Sequence, residues 1–304
     1  MSAVPEAVCA ICGGRELVPT YRLPSGTIVR CAGCRTVARR EPIGGDAALS
    51  LYEDDAYLEA PYFEVLQVGA PRTGEPYGVY GRVLDRLGER GGGRRLLDVG
   101  CSYGAFLELA RERGYRVAGV ELSRKAADYA ERERGLDVFR GTLEEARLPA
   151  ASFDLVTLWD VVEHLDRPVE TLVEVRRVLA PGGTLMLFTI NQRSLINRVG
   201  HLLYRASLDR FERLPTLLYD VHHNFFFDRR TLAAALRRAG FDESPEVDWM
   251  EARIERWQNV RIPVVLALGA TALDFASRFV GERYRMIAYA QKAAPAGDAP
   301  ATAD

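Results

Sequence analysis

The stretch RRLLDVGCSYGAFLELARERGYRVAGVE, residues 94–121, leaves this chain the fewest folding options. An apolar run, Leu96-Leu97-Asp98-Val99, ends at Gly100. A glycine-containing turn follows, then helical apolar periodicity from about Tyr103 to Arg113, stopped by Gly114. A second apolar run, 117–120, ends in Glu121. Strand, glycine turn, helix, strand and acid, in that order, make half of a doubly wound nucleotide fold. In such a fold a nucleoside lies across the strand ends, the terminal acid meets the ribose hydroxyls, and the turn approaches the ligand closely. The dinucleotide fingerprint needs G-x-G-x-x-G to seat a pyrophosphate on a helix N-terminus. Here the spacing is Gly100-x-Ser102-x-Gly104, with Asp98 ahead of it. An acid there suits a ligand with a cationic group better than one with phosphates.

The 304 residues have room for one large domain and a small one. A formal net charge of −2 predicts no strong draw toward nucleic acid or an anionic membrane. Residues 1–8 lack the basic start and apolar core of a signal peptide. The longest uncharged apolar stretch, 262–273, contains Pro263 and Gly269 and is too short to span a bilayer. It reads first as a buried helix, then as a substrate lid, then as a shallow, peripheral membrane contact. Five cysteines, most of them in tight pairs, fit a reducing, cytoplasmic compartment and a metal better than disulfides.

Those pairs are Cys9-x-x-Cys12 and Cys31-x-x-Cys34. Each supplies two thiolates from one knuckle, and two knuckles complete a tetrahedral sulfur site. The pattern predicts a zinc ribbon with a small hairpin and a structural zinc. Two redox pairs or an Fe–S cluster are the alternatives. The expected organisation is a zinc-ribbon module over 1–45, a main domain over 46–291 with insertions at 192–224 and 251–281, and a disordered Ala/Pro-rich tail over 292–304. Residues 35–50 read as a connection. Tyr52, Tyr57, Tyr62, Tyr77 and Tyr80, with Phe63, suit a half-open ligand site or the packing of amphipathic helices. Ser123 and Asp228 are candidate helix caps. The fourth strand ends at Trp159-Asp160. A turn at Pro181-Gly182-Gly183 leads into a fifth strand over 184–188, and an antiparallel last strand covers 284–290.

The Asp98–Gly104 turn, the segment Trp159-Asp160-Val161-Val162-Glu163-His164-Leu165, VRRVLAPGG at 175–183 and HHNFFFDRRTLAAALRRAGF from His222 together carry a resemblance. The chain resembles the class I S-adenosylmethionine-dependent methyltransferases, of the small-molecule type with an N-terminal zinc ribbon. In that family the turn reads D-V-G-C-G-x-G, and Ser102 stands where the middle glycine usually does. The resemblance implies an α/β, Rossmann-like, doubly wound sheet of seven mostly parallel strands with an antiparallel last strand, plus the small zinc ribbon. It implies S-adenosylmethionine held by Asp98, Gly100, Ser102, Gly104 and Glu121. Thr142 stands where an acid usually meets the adenine amino group, and Leu143 would offer its N–H to the ring or its side chain to the ring face. The Trp159 carbonyl or Asp160 would lie by the methionine moiety, and Tyr52 would line the cleft.

The implied reaction is methyl transfer to an O, N or C acceptor of a small molecule, a sugar or a secondary metabolite, by direct displacement. An oxygen or nitrogen acceptor needs a proton removed. His164, His223 and His222 are the candidates for that base or for a substrate contact; a structural hydrogen bond is the alternative for each. Glu163 orients a histidine or faces solvent, His201 reads as a surface or helix residue, and Cys101 as a small buried filler. The rivals are a relative that binds the same cofactor for another reaction and a scaffold with a vestigial cofactor fold. No nucleic-acid partner is expected, and the oligomeric state stays open.

Overall fold

The computed structural model describes residues 8–54, 66–70, 72, 76–90, 93–206, 218–219, 222–241, 246–249, 264–280 and 283–294. Three strands, β1 (Leu17–Leu23), β2 (Gly26–Cys31) and β3 (Val37–Arg39), lead the chain, followed by helices α1 (Gly45–Tyr52) and α2 (Tyr77–Glu89). The glycine-turn unit comes next: β4 (Arg95–Val99), α3 (Ala105–Glu112) and β5 (Arg116–Glu121). Then come α4 (Arg124–Arg134), β6 (Val138–Arg140), β7 (Phe153–Trp159), α5 (Pro168–Val178) and β8 (Leu179–Ile190). Helix α6 (Leu195–Ala206), the short β9 (Phe225–Phe226), α7 (Arg229–Arg238), β10 (Glu246–Trp249), α8 (Val264–Val280) and β11 (Arg285–Gln291) complete the described elements.

The larger sheet runs β10-β11-β8-β7-β4-β5-β6. Strands β4 to β8 pair in parallel, whereas β11 is antiparallel to both β8 and β10. Both faces of this sheet are covered, so its central strands read as unbroken apolar runs. Along β4 the side chains alternate between two cores. Leu97 and Val99 pack with Val156, Leu158, Leu172, Val175, Leu232 and Leu236, while Leu96 packs with Val83, Leu84, Phe106, Leu107 and Met186. Truncating a fully buried leucine such as Leu97 to alanine costs about 2–5 kcal/mol.

Local chemistry fixes the helix ends. The Ser123 hydroxyl accepts the Ala126 N–H at 3.3 Å, and Gly135 closes α4 in the left-handed region at φ 59°. Asp228 and Thr231 form a reciprocal capping box at 2.8 Å each way, and Pro168 sits in the first turn of α5.

The smaller sheet runs β1-β2-β3-β9. Val37 pairs with Phe226 and Ala38 with Phe225, so the cysteine-bearing hairpin is stitched to the segment after the histidine pair. Cys9, Ile11 and Cys31 share one buried cluster with Phe225 and Phe227.

Several expectations change. Residues 35–50 are not a plain connection: they hold β3, whose Val37 and Arg39 are buried, and most of α1. The expected turn at Pro181-Gly182-Gly183 is absorbed as an irregularity in one long strand, because Gly183 and Gly182 pair with Lys292. That pairing also carries order past 291, into the expected tail; residues 295–304 lie outside the described residues. The 192–224 segment, read as irregular, contains α6; the 251–281 segment, read as mostly helical, holds α8 over Val264–Val280. Tyr77 and Tyr80 do not line a half-open site: both are buried in α2, Tyr80 against Phe106 and Trp159 and Tyr77 against Tyr80, because α2 must cover the sheet. Tyr57, Tyr62 and Phe63 lie outside the described residues.

Candidate functional site

The carboxyl ends of β4, β5, β6, β7 and β8 share one edge, and the expected site residues gather there. Gly100 leaves β4 at φ 74°, and a Cβ on it would stand 2.5 Å from Val161 Cγ2. Only glycine supplies both the backbone and the room. Ser102 takes φ 49° with a side chain, at a cost of about 1 kcal/mol or more. Its N–H donates to Glu121 Oε2 at 2.7 Å, and Glu121 Oε1 accepts the Ser123 N–H at 2.8 Å. A charge-assisted bond of this kind offsets that strain. Burial pushes the Glu121 carboxyl up, and the N–H groups of Ser123, Ser102 and Leu122 oppose it. The Ser102 hydroxyl is buried without a hydrogen-bond partner, and its carboxylate neighbour has lone pairs to spare. An orphaned hydroxyl beside an under-used carboxylate fits the sugar of a nucleoside.

Asp98 lies one layer below. It is buried between Gly119 and Thr157, and the Thr157 hydroxyl donates to it at 2.6 Å. Burial raises its carboxyl to about 8; the Thr157 bond opposes this and the Glu121 charge adds to it.

Gly141 donates its N–H to the Glu121 carbonyl, so Thr142 directly follows the acid-bearing corner. The Thr142 N–H donates to Glu145 Oε2 at 2.8 Å, and its hydroxyl accepts the Glu145 N–H at 3.3 Å. Leu143 departs from expectation. Its side chain is buried in the main core with Val99 and Val120, so it does not lie along a ring face. The turn after an edge strand needs an inward apolar anchor, and Leu143 supplies it.

At the end of β7, the Trp159 side chain packs among Tyr80, Phe106 and Phe188, and its indole N–H is buried without a partner. Asp160 adopts φ 50° and pairs with Arg285 of β11. That pairing was not legible in the motif, because the partner is far along the chain on an antiparallel strand. Glu163 is fully buried, and neither carboxylate oxygen has a hydrogen-bond partner. Burial and the Asp160 charge push its carboxyl up to about 8, against the opposing pull of Thr189 and Arg285. It therefore does not face solvent.

The bonding atoms of Glu163, His164 and His223 all lie within 4.8 Å of one another, and the two imidazoles meet edge to face at 4.7 Å. His164 Nδ1 is 3.0 Å from the His222 carbonyl, so Nδ1 carries the proton and Nε2 is the basic nitrogen of the neutral ring. His222 contributes this carbonyl. Tyr52 stands edge-on to His164 at 6.0 Å, while neighbouring Glu53 accepts the Arg124 N–H. The end of α1 thus bridges from the histidines to the start of α4.

Two features escaped sequence reasoning. Asn224, fully buried, donates to the carbonyls of His164 and Ile43 at 2.7 Å each and accepts the Ile43 N–H at 2.7 Å. It clamps the histidine loop to the exit of the cysteine module. His201 lies in α6, as one of its two readings has it, but half-buried rather than open: it contacts Tyr21 OH at 2.5 Å and Gln192 Nε2 at 3.2 Å, and burial with Arg30 and Arg205 nearby lowers it to about 4. A buried polar residue next to an aromatic run was the only signal for the first. The second is a purely tertiary meeting.

The cysteines converge as their spacing requires. Cys9–Cys34 and Cys12–Cys31 sulfurs are 3.5 Å apart, and all four lie within 4.8 Å. Metal–sulfur bonds of about 2.3 Å in a tetrahedron place sulfurs about 3.8 Å apart. Burial pushes the Cys9 thiol well up, whereas for Cys12 the Gly14 N–H and the neighbouring thiols outweigh burial and bring it to about 7. Thiols crowded this closely ionise together only around a cation, so the donor set fits a thiophilic metal.

Residues 75–243 match a family model described as a methyltransferase domain. A ubiquinone biosynthesis O-methyltransferase from Hahella chejuensis is 37% identical over 118 residues, covering 36% of this chain and 49% of that protein. The chain spans about half the length of the curated relatives it matches. In fold, it matches a Haemonchus contortus phosphoethanolamine N-methyltransferase 2 solved with phosphomonomethylethanolamine and S-adenosylhomocysteine. That match has TM-score 0.56 and 16% identity, over 82% of this chain and 61% of that one. It also matches the [4+2]-cyclase SpnF, with TM-score 0.54 and 20% identity, over 84% and 100%. These likenesses concern the fold. The family match spans more than half of the chain and takes in the glycine turn, Glu121 and the histidine loop, so the chain belongs to the methyltransferase domain family.

Proposed function

We propose that this protein transfers a methyl group from S-adenosylmethionine to an O, N or C atom of a small-molecule acceptor, a sugar or a secondary metabolite. The observation that carries the reading is the Glu121–Ser102 bond, which joins the acid closing β5 to the glycine turn beside an orphaned hydroxyl. S-adenosylmethionine supplies a methyl group already activated by positive sulfur. The chain's own residues hold and align. Gly100 and Gly104 admit the ligand close to the backbone, and Glu121 and Ser102 take the ribose hydroxyls. Thr142, with the Leu143 N–H, meets the adenine. Asp98 sits beneath the turn, where the cationic end of the ligand would draw out the proton that burial otherwise keeps on it. The Trp159 carbonyl and Asp160, steadied by Arg285, flank the methionine moiety, and Tyr52 closes the cleft. His164 and His223 receive the acceptor's proton, with His222 fixing the His164 tautomer through its carbonyl. In-line displacement asks for alignment and exclusion of water more than for metal chemistry.

In this reading the Cys9, Cys12, Cys31 and Cys34 set holds a structural zinc in a ribbon over residues 1–45, since four sulfurs leave no open position for water. The main domain covers 46–291, and the protein works in the cytoplasm, where paired thiols stay reduced. The cyclase of similar fold is a reminder that fold does not dictate reaction. Calorimetric titration with S-adenosylmethionine, followed by a tagged-methyl screen against metabolite extracts and mass spectrometry of the product, tests the reading. Absence of binding would point to a scaffold, and binding without labelled product to another reaction.

A further inference from the structure

Helices α6 and α8 pack together, and their outward faces are unlike those of an ordinary surface pair. On α8, Leu268, Ala272, Phe275 and Phe279 recur along one exposed stripe, while Ala270 and Ser277 turn inward. An apolar stripe normally faces the core. Here Leu268 is 66% exposed, Phe275 57% and Phe279 79%, and on α6 Leu202 is 66% exposed beside the exposed Leu203. The two rings touch edge to face at 5.8 Å, so this is a patch and not a scatter of single residues.

The exposed charge on these faces is basic. Among the described positions of the two helices Arg198, Arg205 and Arg278 are exposed, while the one acid, Asp274, is half-buried one turn before Arg278. The Arg278 guanidinium lies over the Phe275 ring at 5.2 Å, its charge carried beside the apolar surface. Aromatic and leucine side chains in one stripe with arginines at its margin form the pattern of a helix that lies in a membrane interface. A second copy of the same face would bring arginines against arginines, which opposes self-association through a two-fold. Among the described residues no helix is long and apolar enough to cross a membrane, which leaves contact from one side.

We propose that the α6–α8 face docks on the surface of an anionic lipid bilayer. Leu268, Phe275 and Phe279 enter the boundary between headgroups and acyl chains. Arg198, Arg205 and Arg278 meet the lipid phosphates. The overall net charge of −2 does not oppose this, because attraction over a Debye length is set by the local arginines. The stretch 262–273, read from sequence first as a buried helix, supplies part of this exposed stripe through Leu268 and Ala272.

The test is co-sedimentation of the full chain with phosphatidylcholine vesicles, with and without phosphatidylglycerol. The parent pellets with the anionic vesicles, pellets far less with the neutral ones, and is released by salt. F275S/F279S lowers partitioning by about tenfold or more, since it removes the largest exposed apolar groups. F279S alone gives a smaller drop in the same direction. R198Q/R205Q/R278Q loses the preference for phosphatidylglycerol. Melting temperature and S-adenosylmethionine affinity stay at parental values in all three variants, which separates this proposal from the methyl-transfer reading. A parent that stays in the supernatant with both vesicles overturns the proposal, as does F275S/F279S pelleting like the parent. Sedimentation velocity adds a third outcome: a parental dimer that dissolves in F275S/F279S, without vesicle binding by either, overturns the proposal and assigns the face to a second copy of the chain.

Discussion

The Glu121 carboxylate accepts the Ser102 N–H at 2.7 Å, tying the end of the second parallel strand to a turn that a serine holds at φ 49°. One acid thus props up the turn and presents the ribose acceptor. Glu121→Ala should weaken S-adenosylmethionine binding by about tenfold to a hundredfold, since it removes charge-assisted bonds worth about 1.5–3 kcal/mol. Glu121→Gln should lose less, because its amide oxygen still accepts. Isothermal calorimetry measures both, and equal affinities for all three proteins would contradict this role.

Gly100 faces Val161 across a gap that a methyl group would close to 2.5 Å. Gly100→Ala combines that clash with a left-handed backbone and should destabilise the fold by about 1–3 kcal/mol. Adding Val161→Ala should return only the steric part. Urea midpoints of the single and double variants read the difference.

Asp98 makes stability depend on pH. Its carboxyl is raised to about 8 by burial, so the folded chain holds a proton that the unfolded chain gives up. The neutral form's contribution is therefore full at low pH and declines as pH rises from about 4 through about 8. Glu163, raised to about 8 by the same cause, adds to the slope. Without cofactor, the urea midpoint should fall between about pH 5.5 and about pH 8, and Asp98→Asn should flatten that fall while keeping an acceptor for the Thr157 hydroxyl.

The bonding atoms of Glu163, His164 and His223 lie within 4.8 Å of one another, close enough for their titrations to couple. Burial keeps Glu163 protonated up to about pH 8, so Glu163→Gln should change the imidazole titration only in its upper limb, where the carboxylate ionises beside the rings. Nitrogen-15 imidazole spectra of the histidine-labelled protein follow each ring. Curves identical to the parent's up to about pH 9 would show that the ionised carboxylate has no electrostatic hold on them.

For the sulfur cluster, the expected metal content is about one zinc per chain. Chelation, or Cys31→Ser at a buried ligand, should lower the melting temperature by about 5 °C or more, because Cys9, Ile11 and Cys31 belong to the same core as Phe225 and Phe227. Elemental analysis together with calorimetric melting checks both statements.

The sequence by itself determined what depends on neighbours in the chain. The strand–turn–helix–strand unit, the Ser123 and Asp228 caps and the gathering of four sulfurs follow from spacing, glycine and apolar period, each acting over a few residues or one short hairpin. Tertiary structure alone decided which distant groups meet. Arg285 reaches Asp160 only because β11 inserts antiparallel beside β8. Asn224 joins His164 to Ile43 only because β3 and β9 pair. Leu143 turns inward because an edge-strand turn needs an anchor. Hydrogen bonds and ion pairs between remote segments leave no periodicity to read, since the free energy that selects them belongs to the packed sheet and not to any stretch of chain.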